Sequence, residues 1–330
     1  MTQFARNDVG IVAIGRNEGR RLIECLTSVR SVTGNVVYVD SGSTDNSVQA
    51  AEEIGAHVIK LDLAKPFTAA RARNEGFSKL IALWPNIHVV QFVDGDCTLA
   101  PLWIDKAVAF MEQRPDVAIV CGRRRERDPD GSIYNRMLDD EWNTPVGEAS
   151  ACGGDALMRV EAFEGVEGFR PSLIAGEEPE LCLRLREDGW KIWRLDEEMT
   201  LHDAAMHSFT QWWLRSVRSG YAFAEVSRLH RASPNAIWRR EVVRAIVWAG
   251  ILPLLIGVGT LISPYALWIT LAYPLQVFQI GIRRVATSSD RWSYAMLSVP
   301  GKFAQLLGIL KFYWRNLRDQ PPQLIEYKSF

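Results

Sequence analysis

The segment His88-Val-Val-Gln-Phe-Val-Asp-Gly-Asp96 is an apolar run that ends in two carboxylates one residue apart. Its length and its β-branched and aromatic residues predict a buried strand over residues 88–93. Asp94 and Asp96 follow this strand, where carboxylate oxygens can hold a hard divalent cation. An Asp-x-Asp pair by itself is a weak signal, because most such pairs lie in surface turns. The rest of the pattern therefore decides its meaning.

The chain before this segment alternates strand and helix signals. Strands are predicted at 9–14, 36–39 and 57–60, and helices at 19–29, 43–55 and 69–83. This alternation predicts an α/β fold with a mostly parallel sheet and helices on both faces. In such sheets ligands bind beyond the carboxyl ends of the strands. We therefore expect Asn17, Asp40 and Asp94 to meet at one rim.

The pattern after the acidic turn is less regular. Residues 118–121 predict a further strand, followed by a polar loop over 122–132. Residues 179–188 predict a helix, with glutamates in its first turn and Gly189 after its end.

The C-terminal third changes character, because residues 245–282 form a run of 38 residues without a charged side chain. A single helix of that length would be about 57 Å long, roughly twice the hydrocarbon thickness of a bilayer. Two passes with a turn near Ser263-Pro264 fit better. The flanking arginines place both ends on the cytoplasmic side and predict a membrane hairpin; they are Arg239, Arg240, Arg244, Arg283 and Arg284.

Two further interpretations concern this region. The apolar run could instead be a buried helical pair in a soluble protein, but its glycines and prolines suit membrane helices better. Residues 292–314 predict an amphipathic helix lying along the membrane interface.

Composition excludes some classes of protein. The net charge of −1 gives no global reason to bind nucleic acid. Seven arginines between Arg215 and Arg244 fit either an anionic surface or a solvated helix face. Five scattered cysteines without a Cys-x-x-Cys pair argue against disulfides and structural zinc. No apolar stretch of signal-peptide length precedes Val9, so the N-terminal part is expected in the cytoplasm.

Four short motifs occur in a specific order: Val12-Ala-Ile-Gly-Arg-Asn-Glu18, Val39-Asp-Ser-Gly-Ser-Thr-Asp45, Ala72-Arg-Asn-Glu-Gly76 and Val93-Asp-Gly-Asp96. Together they resemble glycosyltransferase family 2, a group of inverting enzymes with the GT-A fold. The resemblance covers about residues 8–225. It implies a catalytic domain over 1–225, with a nucleotide-sugar half at about 8–125 and an acceptor half at about 126–225. A membrane-associated helical region over 226–330 would follow, with its hairpin at 245–282.

The resemblance implies roles for the donor side. The Asn17-Glu18 turn and Asp40-Ser41 would border the base and ribose of the nucleotide, although many relatives have two acidic residues at the latter pair. Arg73 would meet the diphosphate, since a guanidinium can hold phosphate oxygens bidentately; a salt bridge to a rim carboxylate is the alternative. Asp94 and Asp96 would hold Mg²⁺ or Mn²⁺. Asp94 would also border the donor.

The resemblance implies a second set of roles on the acceptor side. Gly153 and Gly154 would let the backbone approach a sugar, with Glu177 beside them. Glu178 occupies the position of the catalytic base, which is usually Asp in the family. His202 would be a further metal ligand, or else a hydrogen-bonded structural residue. Gln211-Trp-Trp-Leu-Arg215 differs in spacing from the Gln-x-x-Arg-Trp signature of processive synthases, so polymer synthesis is not inferred.

The implied activity is transfer of a sugar from a nucleotide diphosphate to a lipid, lipid-linked or saccharide hydroxyl, by an enzyme at the cell membrane with its catalytic domain on the cytoplasmic side. One alternative is a nucleotidyltransferase on a related fold, but Gly15-Arg-Asn-Glu-Gly19 lacks the dense glycines of a phosphate loop. Another is a membrane scaffold without catalysis, against which the acidic residues at 94, 96 and 178 argue.

Overall fold

The computed structural model describes residues 8–283, 291–320 and 324–326. The chain divides into two compact units. The first runs to Asp128 and resumes over Glu141–Ala204, and the second contains Pro129–Asp140 and the chain from Ala205 onward. This division falls about twenty residues before the predicted domain boundary at 225, which stays a prediction.

The first unit contains one sheet, with nine strands in the described residues. In chain order they are β1 Val9–Gly15, β2 Val36–Asp40, β3 His57–Lys60, β4 Val89–Asp94, β5 Cys97–Leu99, β6 Val117–Glu126, β7 Gly147–Ala149, β8 Ala156–Arg159 and β9 Lys191–His202. Their order across the sheet is β3-β2-β1-β4-β8-β6-β9-β5, and β7 pairs with β9.

The direction of the strands separates two halves of this sheet. Strands β1 to β4 are parallel to one another, as the alternating sequence predicts. Beyond β4 the sheet is mixed, because β8 is antiparallel to both β4 and β6, whereas β6 and β9 are parallel. The predicted α/β class is confirmed, and the antiparallel strands are a feature that the sequence pattern did not indicate.

Helices cover the sheet through apolar faces. They are α1 Arg20–Arg30, α2 Ser47–Ile54, α3 Ala69–Leu83, α4 Trp103–Gln113, α6 Val160–Gly165 and α7 Glu177–Glu187. The buried side of α1 consists of Leu22, Cys25, Leu26 and Val29, as its helical period predicts. Thr68 begins α3 by accepting the Arg71 N–H at 3.1 Å, and Pro85 follows its end.

The prediction of a polar loop over 122–132 is wrong for residues 122–126, because β6 continues to Glu126. Residues 122–126 are rich in charge, which disguises the strand in the sequence. In the structure these charges have partners from distant segments: Arg124 pairs with Asp155, just before β8, at 2.8 Å, and Arg125 pairs with Glu198 of β9 at 2.7 Å. A charged stretch can therefore form an interior strand when its partners come from distant segments.

The second unit is helical in its described residues. Its helices are α5 Ile133–Trp142, whose last two residues belong to the first unit, α8 Phe209–Leu229, α9 Arg239–Ile246, α10 Leu252–Ile262, α11 Ala272–Arg283 and α12 Arg291–Leu317. Between α9 and α10, residues Val247–Ile251 form a π-helical turn, and Pro264–Leu271 form a 3₁₀ stretch before α11.

The apolar run forms two helical passes, Arg239–Ile262 and Pro264–Arg283, each long and apolar enough to cross a membrane. Their break falls at Ser263-Pro264, as predicted. Only 11% and 6% of the two apolar windows are buried within the described part of the chain. Of the predicted flanking arginines, Arg283 ends α11, whereas Arg284 lies outside the described residues.

A hydrogen bond joins the two passes at the π-helical turn. The Leu252 N–H bonds the Val247 carbonyl, so the same spacing would require residue 253 to donate to the Trp248 carbonyl. Residue 253 is proline and has no N–H. The Tyr273 hydroxyl donates to that carbonyl instead, at 2.9 Å.

The helix predicted over 292–314 is present as the longer α12, and small residues as well as Phe312 make up its buried face. Leu307 and Leu310 are exposed, whereas Gly301, Ala304 and Gly308 are buried. A Cβ at Gly308 would collide with the Val217 carbonyl oxygen of α8. Small residues therefore permit a close crossing of α12 and α8, and a position at the membrane interface stays a prediction.

Gln211 helps to cap the N-terminus of α8. Ser208 and Gln211 form a capping box, in which the Ser208 hydroxyl accepts the Gln211 N–H at 3.2 Å and the Gln211 amide oxygen accepts the Ser208 N–H at 3.0 Å. This role accounts for the glutamine without a processive synthase site.

Candidate active site

Three predicted strand ends lie side by side at one edge of the sheet. Gly15 at the end of β1 is in register with Asp40 at the end of β2, and Ile14 is in register with Asp94 at the end of β4. The parallel pairing of these strands brings their following turns together. The rim therefore collects side chains from three separate stretches of chain.

Asn17 and Asp40 shape the loops on the donor side of this rim. Asn17 adopts a positive φ of 56°, which asparagine tolerates better than most residues. Its side-chain oxygen accepts the Thr44 N–H at 2.7 Å. The Asp40 carboxylate accepts the N–H groups of Gly42 and Ser43, both at 3.0 Å. Asn17 thus connects the β1 and β2 loops, whereas Asp40 holds the β2 loop internally.

A cavity of about 360 Å³ lies beside these loops. Its lining combines cationic and apolar side chains; it consists of Arg16, Ser41, Leu61, Leu63, Ala64, Lys65, Pro66, Phe67 and Arg71. The Ser41 hydroxyl is buried and has no hydrogen-bond partner among the described residues. A buried hydroxyl of this kind is suited to a polar group of a ligand.

Glu18 lies against the acidic turn. Its side chain forms an ion pair with Arg21 at 2.8 Å. A Cβ at Gly95 would lie 3.3 Å from Glu18 Cγ and 3.1 Å from the Ile14 carbonyl oxygen. The glycine of the Asp-Gly-Asp turn therefore lets this turn pack closely on the β1 loop.

Arg73 joins the acidic turn to the start of α7. Its guanidinium is buried and contacts Asp94 at 2.8 Å, Glu177 at 2.9 Å and Glu178 at 3.1 Å. The structure thus has the salt bridge to a rim carboxylate that the sequence left open as the alternative for this arginine. Its contact with a diphosphate stays a prediction.

Asp94 is also contacted by Arg124 and Asp155, two residues that the sequence motifs did not indicate. The fully buried Asp155 carboxylate accepts the Asp94 N–H at 3.2 Å and the Thr200 hydroxyl at 2.8 Å, and it pairs with Arg124. Arg124 also lies 3.7 Å from the Asp94 carboxylate. Burial alone would raise the pKa of Asp94, but the guanidiniums of Arg73 and Arg124 outweigh burial and lower it. Asp94 is therefore held as a carboxylate.

Asp96 has a different set of neighbours. Asp96, Cys97 and His202 are buried, and their potential ligand atoms lie within 4.8 Å of one another. His202 Nε2 is 3.5 Å from an Asp96 carboxylate oxygen. Burial and the charge of Asp155 raise the pKa of the Cys97 thiol well above its ordinary value, which makes it a poor ligand. The oxygen and imidazole donors suit Mn²⁺ or Mg²⁺, with the imidazole favouring Mn²⁺.

The charge balance around this turn also fits a cation. Acidic side chains gather around it; they belong to Asp94, Asp96, Glu126, Asp155, Glu177 and Glu178, and Arg73 and Arg124 contact four of them. Buried like charges repel strongly unless a cation is placed among them. A divalent ion held by Asp96 and His202, with Asp94 nearby, would reduce that repulsion.

Glu178 lies on the opposite side of Arg73 from Asp94. Burial, reinforced by the charge of Glu177, raises the pKa of Glu178 to about 7, although Arg73 opposes this shift. A Cβ at Gly154 would lie 2.6 Å from Arg73 Nη2, 2.9 Å from Glu178 Oε1 and 3.2 Å from Asp94 Oδ2. The space above Gly154 is therefore bordered by all three groups, and Gly153 precedes it beside Arg124.

An acidic rim at the carboxyl ends of parallel strands, with Glu178 across a glycine turn, has the features expected of a sugar-transferring enzyme of the GT-A class. Residues 11–165 match the family model described as glycosyl transferase family 2. The matched segment is a family 2 glycosyltransferase domain, so the predicted family and enzyme class are confirmed.

Two relatives and a solved structure are similar to this chain. The succinoglycan biosynthesis protein ExoA of Rhizobium meliloti is 25% identical over 82% of this chain and 89% of its own length. A pre-mycofactocin glycosyltransferase of Mycobacterium tuberculosis is 27% identical over 60% of this chain and 43% of its own. A mannosyltransferase of Pyrobaculum calidifontis, solved with GDP-mannose and Mn²⁺, has the same fold, with a TM-score of 0.60, 17% identity and coverage of 93% of this chain and 87% of its own.

Proposed function

We propose that this enzyme is an inverting, metal-dependent glycosyltransferase that moves a sugar from a nucleotide diphosphate to an acceptor hydroxyl. One observation carries the proposal: Arg73 contacts Asp94 at 2.8 Å on the donor side and Glu178 at 3.1 Å on the acceptor side. A carboxylate with a pKa near 7 is thereby held within a few ångströms of the acidic turn.

The donor would lie along the rim. The cavity beside Ser41 would accept its nucleoside, with Asn17, Glu18 and Asp40 bordering the base and ribose. Asp96 and His202, with Asp94 beside them, would hold Mn²⁺ or Mg²⁺, which supplies charge neutralisation for the departing diphosphate. The Pyrobaculum calidifontis structure contains GDP-mannose and Mn²⁺, and this supports a nucleotide-sugar donor and a divalent ion.

Glu178 would act as the general base. As the acceptor oxygen forms its bond to the anomeric carbon, the hydroxyl proton passes to the Glu178 carboxylate. The bond between that carbon and the diphosphate oxygen breaks on the opposite face, so the configuration inverts. Gly154 lets Arg73, Glu178 and Asp94 come close to the backbone, and Gly153, Gly154 and Glu177 would form the acceptor side of the site.

The second unit bears on the proposed acceptor and location. Its two exposed apolar helices support an enzyme attached to the cell membrane by a hairpin. The flanking arginines would place its catalytic unit on the cytoplasmic side. A membrane-attached enzyme suits a lipid-linked or saccharide acceptor. The name of the Rhizobium meliloti relative, a succinoglycan biosynthesis protein, supports a saccharide product.

Nucleotide binding provides the first test. With Mn²⁺ present, UDP-sugars or GDP-sugars at about 100 times their Kd should stabilise the protein by about 2.7 kcal/mol, measured as a rise in Tm. Release of nucleoside diphosphate with a membrane lipid extract should accompany this binding. Stabilisation by nucleoside triphosphate with pyrophosphate release would favour a nucleotidyltransferase, and a panel without any stabilising nucleotide would contradict the proposal.

Membrane attachment provides a separate test. The wild-type protein should stay with the membrane pellet after carbonate extraction. A Leu254→Asp, Leu255→Asp variant should be extracted, because both side chains are more than half exposed and each aspartate costs about 2.5–3.5 kcal/mol near the centre of a membrane helix. A wild-type protein that is recovered entirely as a soluble monomer would contradict the membrane hairpin.

A further inference from the structure

The imidazole of His202 lies between two carboxylates. Its Nε2 is 3.5 Å from Asp96 Oδ1, and its Nδ1 is 3.7 Å from Glu126 Oε2. All three side chains are buried. The two ring nitrogens therefore face different acidic groups, one on the metal side and one behind it.

Strand register produces this arrangement. His202 is the last residue of β9, where it pairs with Glu126 of the parallel strand β6 and with Cys97 of the antiparallel strand β5. Side chains of directly paired residues on neighbouring strands project to the same face of a sheet. Glu126 and the Asp96-Cys97 turn thus flank the histidine from opposite sides.

Glu126 is itself held in place. Its Oε2 accepts the Ala204 N–H at 3.0 Å, and its Oε1 accepts the Asp128 N–H at 3.2 Å. The Trp142 ring meets the His202 ring edge-on, with centroids 4.7 Å apart, and limits rotation of the imidazole. These contacts limit the movement of both the Glu126 carboxylate and the His202 ring.

We propose that Glu126 is a positioning residue for the metal site, acting through His202. The buried Nδ1 has no hydrogen-bond partner among the described residues, and the Glu126 carboxylate, 3.7 Å away, is the acidic group that faces it. A carboxylate on that side of the ring favours an orientation in which Nε2 faces Asp96, where the proposed ion would lie. The inference rests on the proposed metal-dependent function and adds to it a carboxylate–histidine–metal relay that orients the ligand.

Glu126→Gln tests this role by direct measurement of Mn²⁺ binding. Glutamine keeps the shape and an acceptor oxygen for the backbone N–H groups but loses the charge. Titration of free Mn²⁺ by electron paramagnetic resonance should show affinity about 10- to 100-fold weaker than wild type. At saturating Mn²⁺ the kcat should return to near the wild-type value. Glu198→Gln, an exposed glutamate on the same strand β9, should bind Mn²⁺ like wild type.

A double-mutant cycle with His202→Gln separates positioning from a structural role. If Glu126 acts through the imidazole, Glu126→Gln should lower Mn²⁺ affinity no further in the His202→Gln background. Additive losses, or a Glu126→Gln single variant with wild-type affinity, would overturn the inference. A His202→Gln variant that binds Mn²⁺ normally would instead contradict the metal site of the proposed function, so the two failures are distinguishable.

Discussion

Replacement of Asp96 by Asn is expected to lower kcat by on the order of 10³-fold, which corresponds to about 4 kcal/mol of lost transition-state stabilisation. The buried Asp96 carboxylate is the oxygen donor that faces His202 Nε2 at 3.5 Å. Asparagine has nearly the same shape but no charge to hold a divalent ion against the departing diphosphate. Initial rates of nucleoside diphosphate release, measured with Mn²⁺ varied, check this prediction.

The fold should tolerate this change. Burial and the charge of Asp96 both oppose the lowering of the Asp94 pKa by Arg73 and Arg124, as expected for two neighbouring carboxylates that repel each other. Removing one charge from this acidic cluster relieves that repulsion, so the Tm without metal should stay the same or rise. Asp105→Asn on the exposed side of α4 is the matched control and should retain full activity. Full activity in Asp96→Asn would contradict the role assigned to this residue.

Replacement of Glu178 by Gln is expected to lower kcat by about 10²- to 10⁴-fold, the usual contribution of a general base. The amide cannot accept the proton of the attacking hydroxyl, whereas donor binding should change little because Asp96 and His202 remain. The measurement is kcat alongside the Kd for the donor. Glu187→Gln, an exposed glutamate on the same helix α7, serves as control. A Gln variant with wild-type kcat would exclude Glu178 as the base.

The pH dependence of the wild-type enzyme provides a second signature of the same residue. Burial and Glu177 raise the pKa of Glu178 to about 7, so the group is protonated and inactive as a base below that pH. The kcat/KM for the donor, which reports the donor-free enzyme when the donor binds first, should therefore fall about tenfold per pH unit below pH 7 and level off above it. In Glu178→Gln the fall of kcat/KM below pH 7 should be absent. If the fall persists in this variant, the titrating group is another residue.

Several elements of the fold were predictable because they depend on local sequence. Strands β1, β2 and β4 are continuous apolar runs, and α1 shows its buried face through helical spacing. Strand β6 was shortened in the prediction because Arg123 to Glu126 look like a surface loop when their partners are unknown. Strands β5 and β7 have only three residues each, too short for a periodic signal.

The candidate site divides in a similar way. Asp94, Asp96, Glu178 and His202 could be selected from motifs and from their places next to predicted elements. Asp155 and Glu126 could not, since each stands in a stretch without a motif for its role. Asp155 follows the glycine pair directly, and this adjacency is the one signal that could have indicated it.

The sequence alone thus determined the α/β class, the acidic rim and the two apolar passes, because periodicity, strand ends and hydrophobicity are properties of neighbouring residues. Only the tertiary structure decided which carboxylate meets which cation. Arg73 meets Glu177 and Glu178 across about a hundred residues of chain, and Glu126 reaches His202 through the register of β6 and β9. Such pairings depend on how distant strands align, and the charge of a side chain does not specify that alignment.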